Sequence, residues 1–370
     1  MLEIAKALQQ CWTNKERAAL ATIVDVDGAA YRREGARCLV LENGSVIGTL
    51  SGGCVEGDLL EHARQVIDTG IPREIRYDFR SEGDLFWGLG VGCNGALTIW
   101  LQPFDPVHRP EQAQRQLQAF EQRVSALNEY TSGLVLESKD PARVPAGSYL
   151  ILNRGETEFG DPASAGVTCG LANNTVHGVS VKLFVETVKP RPRLMIFGAG
   201  ADAVPLVEGA KRLHWHVTVA DHRQDYLDRD HFAAADERVL MSRHQYSHMS
   251  VMNEAYVVVM THNYELDRML VQSLLPGSIS YLGVLGSHNR IQRMLDEIQA
   301  DCGELNEESL EKLHSPVGLD IGADSPEEIA LSILSELVCR KNARSGQSLR
   351  LRKGLLHERQ YSGGLLVVNL

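Results

Sequence analysis

Leu194-Met195-Ile196-Phe197-Gly198-Ala199-Gly200-Ala201-Asp202-Ala203 joins an apolar, strand-like run to a glycine turn. A helical stretch to about Leu213 follows, and a second apolar run, His216 to Ala220, ends at Asp221. Strand, glycine turn, helix, strand and acid in this order form a dinucleotide-binding unit. Gly198 and Gly200 permit a tight turn, and the helix N-terminus offers N–H groups to a phosphate. Ala203 stands where the fingerprint has its third glycine or an alanine. Asp221 lies about twenty residues past the turn, where an acid usually receives a ribose hydroxyl. The pattern predicts a Rossmann-type fold, with or without a bound nucleotide.

Two more apolar runs extend the predicted sheet, Ala255 to Met260 and Ser280 to Val284. Each ends in a polar loop, Thr261-His262-Asn263 and Leu285-Gly286-Ser287-His288, at the carboxyl end of its strand. Open α/β sheets bind ligands there. His262 and His288 are candidates for general acids, phosphate contacts or metal ligands, or are simply exposed loop histidines. Ser325-Pro326-Glu327-Glu328 opens a further helix with Ser as N-cap, Pro at its first position and Glu in capping-box register. That helix, through Ile329 to Val338, is apolar enough to pack on the sheet.

Toward the N-terminus, Lys189-Pro190-Arg191-Pro192-Arg193 reads as a stiff link and a domain boundary. Between Gly133 and Val188 lie short strand-like runs, Leu134 to Glu137, Tyr149 to Asn153 and Val179 to Val188, with a turn at Asn153-Arg154-Gly155-Glu156. Pro110 to Tyr130 reads as a polar helix. In the first hundred residues, Ala19 to Val26 and Arg73 to Phe79 read as strands, the former ending in a turn at Asp27-Gly28. Arg37 to Leu41 and Val46 to Leu50 flank Glu42-Asn43-Gly44-Ser45, a strong hairpin signal because Asn and Gly both tolerate positive φ. The expected division is 1–105, 106–190, 191–345 and a tail, 346–370.

The hairpin leads into Ser51-Gly52-Gly53-Cys54-Val55-Glu56, then a helix to Gly70. Cys54 is thereby predicted near a helix N-terminus, a position that lowers a thiol's pKa and favours the reactive, metal-binding thiolate. Gly92-Cys93-Asn94-Gly95 gives a second cysteine a glycine-rich setting before an apparent strand, Ala96 to Leu101. Cys11, Cys38, Cys169, Cys302 and Cys339 read instead as small buried hydrophobes.

Composition bounds the possibilities. The 370 residues suffice for two domains, and 44% hydrophobic with 23% charged residues is a soluble globular composition. Seven cysteines without a Cys-x-x-Cys pair argue against a disulfide framework or zinc ribbon and fit a reducing cytoplasm. No signal peptide or membrane-spanning run is expected, and a net charge of −11 disfavours a nucleic-acid surface.

Taken together, the motifs resemble the XdhC/CoxI family, accessory factors of xanthine dehydrogenase and related molybdenum hydroxylases. The resemblance rests on the Ser51–Glu56 and Gly92–Gly95 turns, the turn at Gly198, Thr261-His262-Asn263 with Asp267, and Gly283 to Ser287. Its most specific part is His314-Ser315-Pro316-Val317-Gly318-Leu319-Asp320-Ile321-Gly322-Ala323. Asn94 replaces a glycine common in the family, and His288 and Asn289 precede Arg290 where many members have arginine directly after Gly-Ser.

The resemblance implies an α/β protein, a C-terminal Rossmann-type doubly wound parallel sheet plus an N-terminal mixed α/β domain. It implies a non-enzymatic carrier that binds molybdenum cofactor, in an unspecified molybdopterin form, and helps insert it into a hydroxylase such as xanthine dehydrogenase. A cysteine desulfurase as partner and a homo-oligomeric state belong to the same expectation. The expected cofactor-binding residues are Gly52, Gly53, Cys54, Glu56, Cys93, Asn94, Gly198, Gly200, Ala203, Asp221, His262 and Ser287, with Cys54 and Cys93 facing molybdenum. The alternatives are an NAD(P)-dependent oxidoreductase, which leaves the cysteine turns idle, and a protein–protein scaffold with an empty Rossmann domain.

Overall fold

The structure is a computed structural model that describes residues 1–28, 30–53, 55–80, 95–152, 169–228, 230–249, 251, 253–303 and 305–352. It divides into two compact units, Met1–Pro190 and Arg191–Arg352.

The first unit begins with α1 (Leu2–Asn14), β1 (Ala18–Gly28), β2 (Arg37–Leu41), β3 (Val46–Gly48), α2 (Glu56–Thr69), β4 (Arg73–Asp78), β5 (Gly95–Phe104) and α3 (Pro110–Ser125). The strands form an antiparallel sheet in the order β3-β2-β1-β5-β4. Along β1, Ala19, Ala21 and Ile23 meet Leu59, Ala63 and Val66 of α2, whereas Ala18 and Leu20 meet α1 and α3. Cover on both faces explains why β1 is apolar nearly throughout instead of alternating. Asp27 and Gly28, expected to form a turn, are instead the last two residues of β1, pairing with Ala96 and Gly95. The hairpin turn is present, with Gly44 at φ 87° and Asn43 Oδ1 accepting from Ser45 N at 2.8 Å.

The unit continues with β6 (Tyr130–Ser138), β7 (Tyr149–Leu152), β8 (Cys169–Val176) and β9 (Val179–Val188), an antiparallel sheet in the order β7-β6-β9-β8. The helix expected to reach Tyr130 ends at Ser125, because Tyr130 pairs with Val188. β8, polar and alternating, was invisible as a strand. The expected turn at Asn153 lies outside the described residues. Val24 and Trp100 of the first sheet join Leu134, Leu136 and Phe184 of the second in one cluster. Buried Glu186 binds Arg37 (Nη1–Oε2 3.1 Å) and Arg123 (Nη1–Oε1 2.8 Å). Burial pushes the Glu186 carboxyl up, but the two guanidiniums prevail and hold it below the ordinary carboxylate range.

The second unit runs β10 (Arg193–Phe197), α4 (Ala203–Arg212), β11 (His216–Asp221), α5 (Gln224–Leu227), β12 (Glu237–Leu240), β13 (Tyr256–Val259), α6 (Tyr264–Leu274), β14 (Tyr281–Val284), α7 (His288–Cys302), α8 (Glu307–Glu311), β15 (Leu313–His314) and α9 (Pro326–Lys341). Its six strands lie parallel in the order β12-β11-β10-β13-β14-β15. The order reverses between β10 and β13, as in a doubly wound dinucleotide-binding sheet. Side chains alternate accordingly: Ile196 and Val258 pack under α4 and α9, and Phe197, Val257 and Val259 under α6 and α7. Ser325 and Glu328 form the capping box that starts α9, with Pro326 at its first position.

Candidate functional site at the strand-order reversal

The loops after β10, β13 and β14 lie at the carboxyl ends of their strands, those after β10 and β13 flanking the reversal. Gly198 adopts φ 120°, and a Cβ there would fall 2.3 Å from the Met260 carbonyl oxygen. Only glycine lets the two strand ends approach so closely. A Cβ on Gly200 would meet Asp202 Oδ1 at 2.4 Å. Ala203 opens α4 and is buried in the α4–α9 core, so the third fingerprint position serves packing.

Asp202, at the N-cap of α4, makes no capping bond with its side chain; its Oδ2 lies 2.8 Å from His262 Nε2. His262 reaches across the reversal from the β13 loop, at φ 58° and 60% side-chain exposure. An acid–imidazole pair therefore sits at the helix N-terminus that the sequence assigns to a phosphate.

Asp221 ends β11 as expected, but its carboxylate is already engaged. It accepts from Ala199 N at 2.7 Å and, in a two-pronged contact, from Arg223 Nε at 2.9 Å and Nη2 at 2.7 Å. Burial raises its pKa, and the Arg223 side chain with the Ala199 and Arg223 N–H groups outweighs that, leaving it below the usual carboxylate range.

After β13, buried Asp267 accepts from the Thr261 hydroxyl at 2.5 Å and from Arg290 Nη2 at 2.7 Å. This explains the spacing of the Thr261-His262-Asn263 and Asp267 motif: α6 returns a carboxylate to the loop that precedes it. Asn263 caps α6 by accepting from Glu265 N and Leu266 N. Ser287 is the N-cap of α7 without a side-chain capping bond, and His288 is the first residue of that helix.

The His314–Ala323 loop is fixed by α9. Glu336 accepts from Tyr281 Oη at 2.5 Å, is paired with His314 Nδ1 at 2.9 Å, and accepts from Gly318 N at 2.8 Å. Gly318 has φ 106°, and a Cβ there would lie 2.3 Å from Ser332 Oγ, whose hydroxyl donates to the Leu319 carbonyl. Glu336, Asp202 and Arg223 were missed in the sequence. The available signal for Glu336 was an acid inside the apolar run of α9.

In the first unit, Ser51-Gly52-Gly53 precedes α2. Gly53 has φ 112°, and among the described residues no atom lies within 4 Å of a Cβ built on Gly52 or Gly53. The Glu56 carboxylate accepts from Ser51 Oγ at 2.5 Å and from Val55 N at 3.2 Å, so it occupies the start of its own helix. Cys54, Cys93 and Asn94 lie outside the described residues. Of the cysteines expected to be buried, Cys11 and Cys38 are, Cys339 is half-buried, and Cys169 and Cys302 are exposed. Cys169 begins a β8 whose polar alternation concealed it, and Cys302 sits at the solvent-facing last turn of α7. Among the described residues no group of three His, Cys, Asp or Glu side chains is arranged to hold a metal ion. No helix among them is long and apolar enough to cross a membrane.

Fold and site thus define a two-unit α/β protein with a Rossmann-type second unit. Residues 194–337 match the XdhC Rossmann domain and residues 11–78 the XdhC and CoxI family. A Bacillus subtilis (strain 168) protein named as a probable xanthine dehydrogenase subunit is 34% identical over 331 residues, 88% of this chain and 93% of that one. The molybdenum cofactor insertion chaperone PaoD of Escherichia coli (strain K12) is 26% identical over 320 residues, 86% of this chain and 82% of its own. A crystal structure from Bacillus halodurans, described as a xanthine dehydrogenase, superposes with a TM-score of 0.72 at 30% identity, covering 92% of this chain and 96% of its own. The chain belongs to the XdhC/CoxI family.

Proposed function

We propose that this protein is an accessory factor that binds molybdenum cofactor and helps insert it into a xanthine dehydrogenase-type molybdenum hydroxylase. The observation that carries the proposal is similarity through both units to proteins named for xanthine dehydrogenase and for molybdenum cofactor insertion. The cofactor is cargo here. Its anionic phosphate tail suits the start of α4, where Gly198, Gly200 and Ala203 bring the backbone close and His262 holds the Asp202 carboxylate. Ser287, with an uncommitted side-chain cap, and Asp221, through the Arg223 it orients, belong to the same assignment.

The soft molybdenum–dithiolene end calls for thiolates, and Cys54 and Cys93 are assigned to it, with Gly52, Gly53, Glu56 and Asn94 shaping their turns. A cysteine desulfurase partner, self-association and a cytoplasmic site of action belong to the same proposal. The strand order of the second unit favours one second reading, a nicotinamide nucleotide at the reversal.

The test mixes purified protein, isolated cofactor and apo-hydroxylase and follows recovery of hydroxylase activity. Retention of cofactor and faster recovery than with free cofactor are expected. If neither occurs, the carrier reading fails. Sustained NADH or NADPH turnover with a carbonyl substrate establishes the nicotinamide reading instead.

A further inference from the structure

The second unit carries an apolar groove away from the strand-order reversal. It has a volume of about 970 Å³ and runs between the end of α4, one side of α9 and the segment that follows α9, which ends in a short 3-10 turn at Leu349–Leu351. Leu331, Ser335 and Val338 line it from α9 at helical spacing, and Asn342, the residue that caps α9, lines it just beyond. Leu213, Leu331, Leu349 and Leu351 also line it and remain 47%, 58%, 64% and 65% exposed. Four large aliphatic side chains in one concavity form a patch of the kind that marks a binding surface rather than scattered surface apolarity.

Its charge is equally one-sided. Arg212, Arg344 and Arg352 line the groove, and no aspartate or glutamate does among the described residues. Residues 340–352 contain five basic residues and no acid, in a chain whose net charge is −11. Among the described residues the lining is built from helices, loop and a 3-10 turn, without an unpaired strand edge to accept a β-strand. From Leu331 to its end at Lys341, α9 offers about three turns of helix, about 15 Å.

We propose that this groove docks an acidic amphipathic helix, about three turns long, from a partner protein. Its apolar residues, spaced three and four apart, enter between Leu213, Leu331 and Leu349, and its carboxylates meet Arg212 and Arg344. The proposal does not depend on what binds at the strand-order reversal.

The test uses the full chain and three fluorescein-labelled synthetic peptides: an acidic amphipathic helix, the same helix with Lys for each Glu, and a scramble of the acidic one. Fluorescence anisotropy should show saturable binding of the first and affinities at least about tenfold weaker for the other two. Leu331→Asp and Arg344→Glu should each weaken the first peptide about tenfold while circular dichroism and the unfolding midpoint stay unchanged, both residues being exposed. Absent binding, equal binding of the scramble, or indifference to both substitutions overturns the proposal. A benzophenone amino acid in place of Leu331 identifies the occupant. Cross-linking to the acidic peptide supports the proposal, and cross-linking to residues 353–370 or to a second copy of the chain, even with peptide present, overturns it.

Discussion

Cys38, Cys11, Asp202 and Asp221 show how the local environment redirects a side chain. Cys38 is buried, and burial with the nearby Glu56 carboxylate pushes its thiol up to about 12; burial pushes Cys11 up to about 11. Both should resist alkylation at neutral pH. Time-resolved labelling with mapping by mass spectrometry is expected to find Cys54 modified well ahead of Cys38 and Cys339. Equal rates, with full accessory activity in Cys54→Ser, would return Cys54 to a packing role. At the start of α4, Asp202 puts a negative charge where an anionic tail is assigned. Asp202→Asn should tighten cofactor binding a few-fold, from about 0.3–1 kcal/mol of relieved repulsion, whereas Gly200→Asp should abolish it, both read by equilibrium dialysis. Asp221 gives a pH signature. Its folded pKa is depressed, so its contribution is complete above about pH 4, the unfolded value, and is lost as pH falls through the folded one. Asp221→Asn should cost about 1–2 kcal/mol at neutral pH, the partly exposed Arg223 moderating the loss. The difference in unfolding midpoint from the native protein should shrink below about pH 4, and a constant difference down to strong acid would refute the assignment.

Elements in this protein are held by single polar groups returned from a distance. Asp267 ties α6 to the β13 loop and to Arg290 of α7, and Glu336 ties α9 to β14, β15 and the glycine-rich loop. Glu336→Ala would leave the Tyr281 hydroxyl, His314 and Gly318 N–H without their acceptor, so a loss of about 2–3 kcal/mol in urea unfolding is expected. Glu336→Gln, which keeps an acceptor oxygen, should lose less. Equal stability of the Ala variant would mean that the loop is held by the Ser332–Leu319 bond and apolar packing alone. Capping shows the same logic in local form, since the Ser325–Glu328 box was readable because all its partners lie within four residues.

At the scale of the whole molecule, the chain combines a sheet-rich first unit with a parallel-sheet second unit, and the carrier proposal assigns each a different chemistry. Soft donors fall to the cysteine turns of one and backbone N–H donors to the other. Reversible delivery requires moderate affinity, roughly micromolar, or about −8 kcal/mol. Cys93→Ala should weaken cofactor binding without lowering the unfolding midpoint, because a glycine-flanked cysteine contributes little core. Unchanged cofactor affinity in that variant would remove Cys93 from the assignment.

Much of the second unit was legible beforehand. Apolar runs ending at Phe197, Ala220 and Val284, the Gly198 turn and the Ser325 box are local signals, and their order implied a doubly wound sheet. The first unit was less legible. β1 continues through Asp27 to Gly28 because β5, far along the chain, pairs with it. β8 carries too few apolar residues to signal a strand by itself and is one because β9 provides its ladder. Site residues divide in the same way. Sequence alone determined where Gly198, Gly200, Asp221 and His262 stand along the chain, since spacing and turn chemistry are local properties. Tertiary structure alone decided that Asp221 is taken by Arg223 and Ala199, that His262 meets Asp202 across the reversal, and that Glu336 anchors the glycine-rich loop. A carboxylate's partner is set by which strand ends and helices converge on it, and that convergence exists only once the sheet has formed.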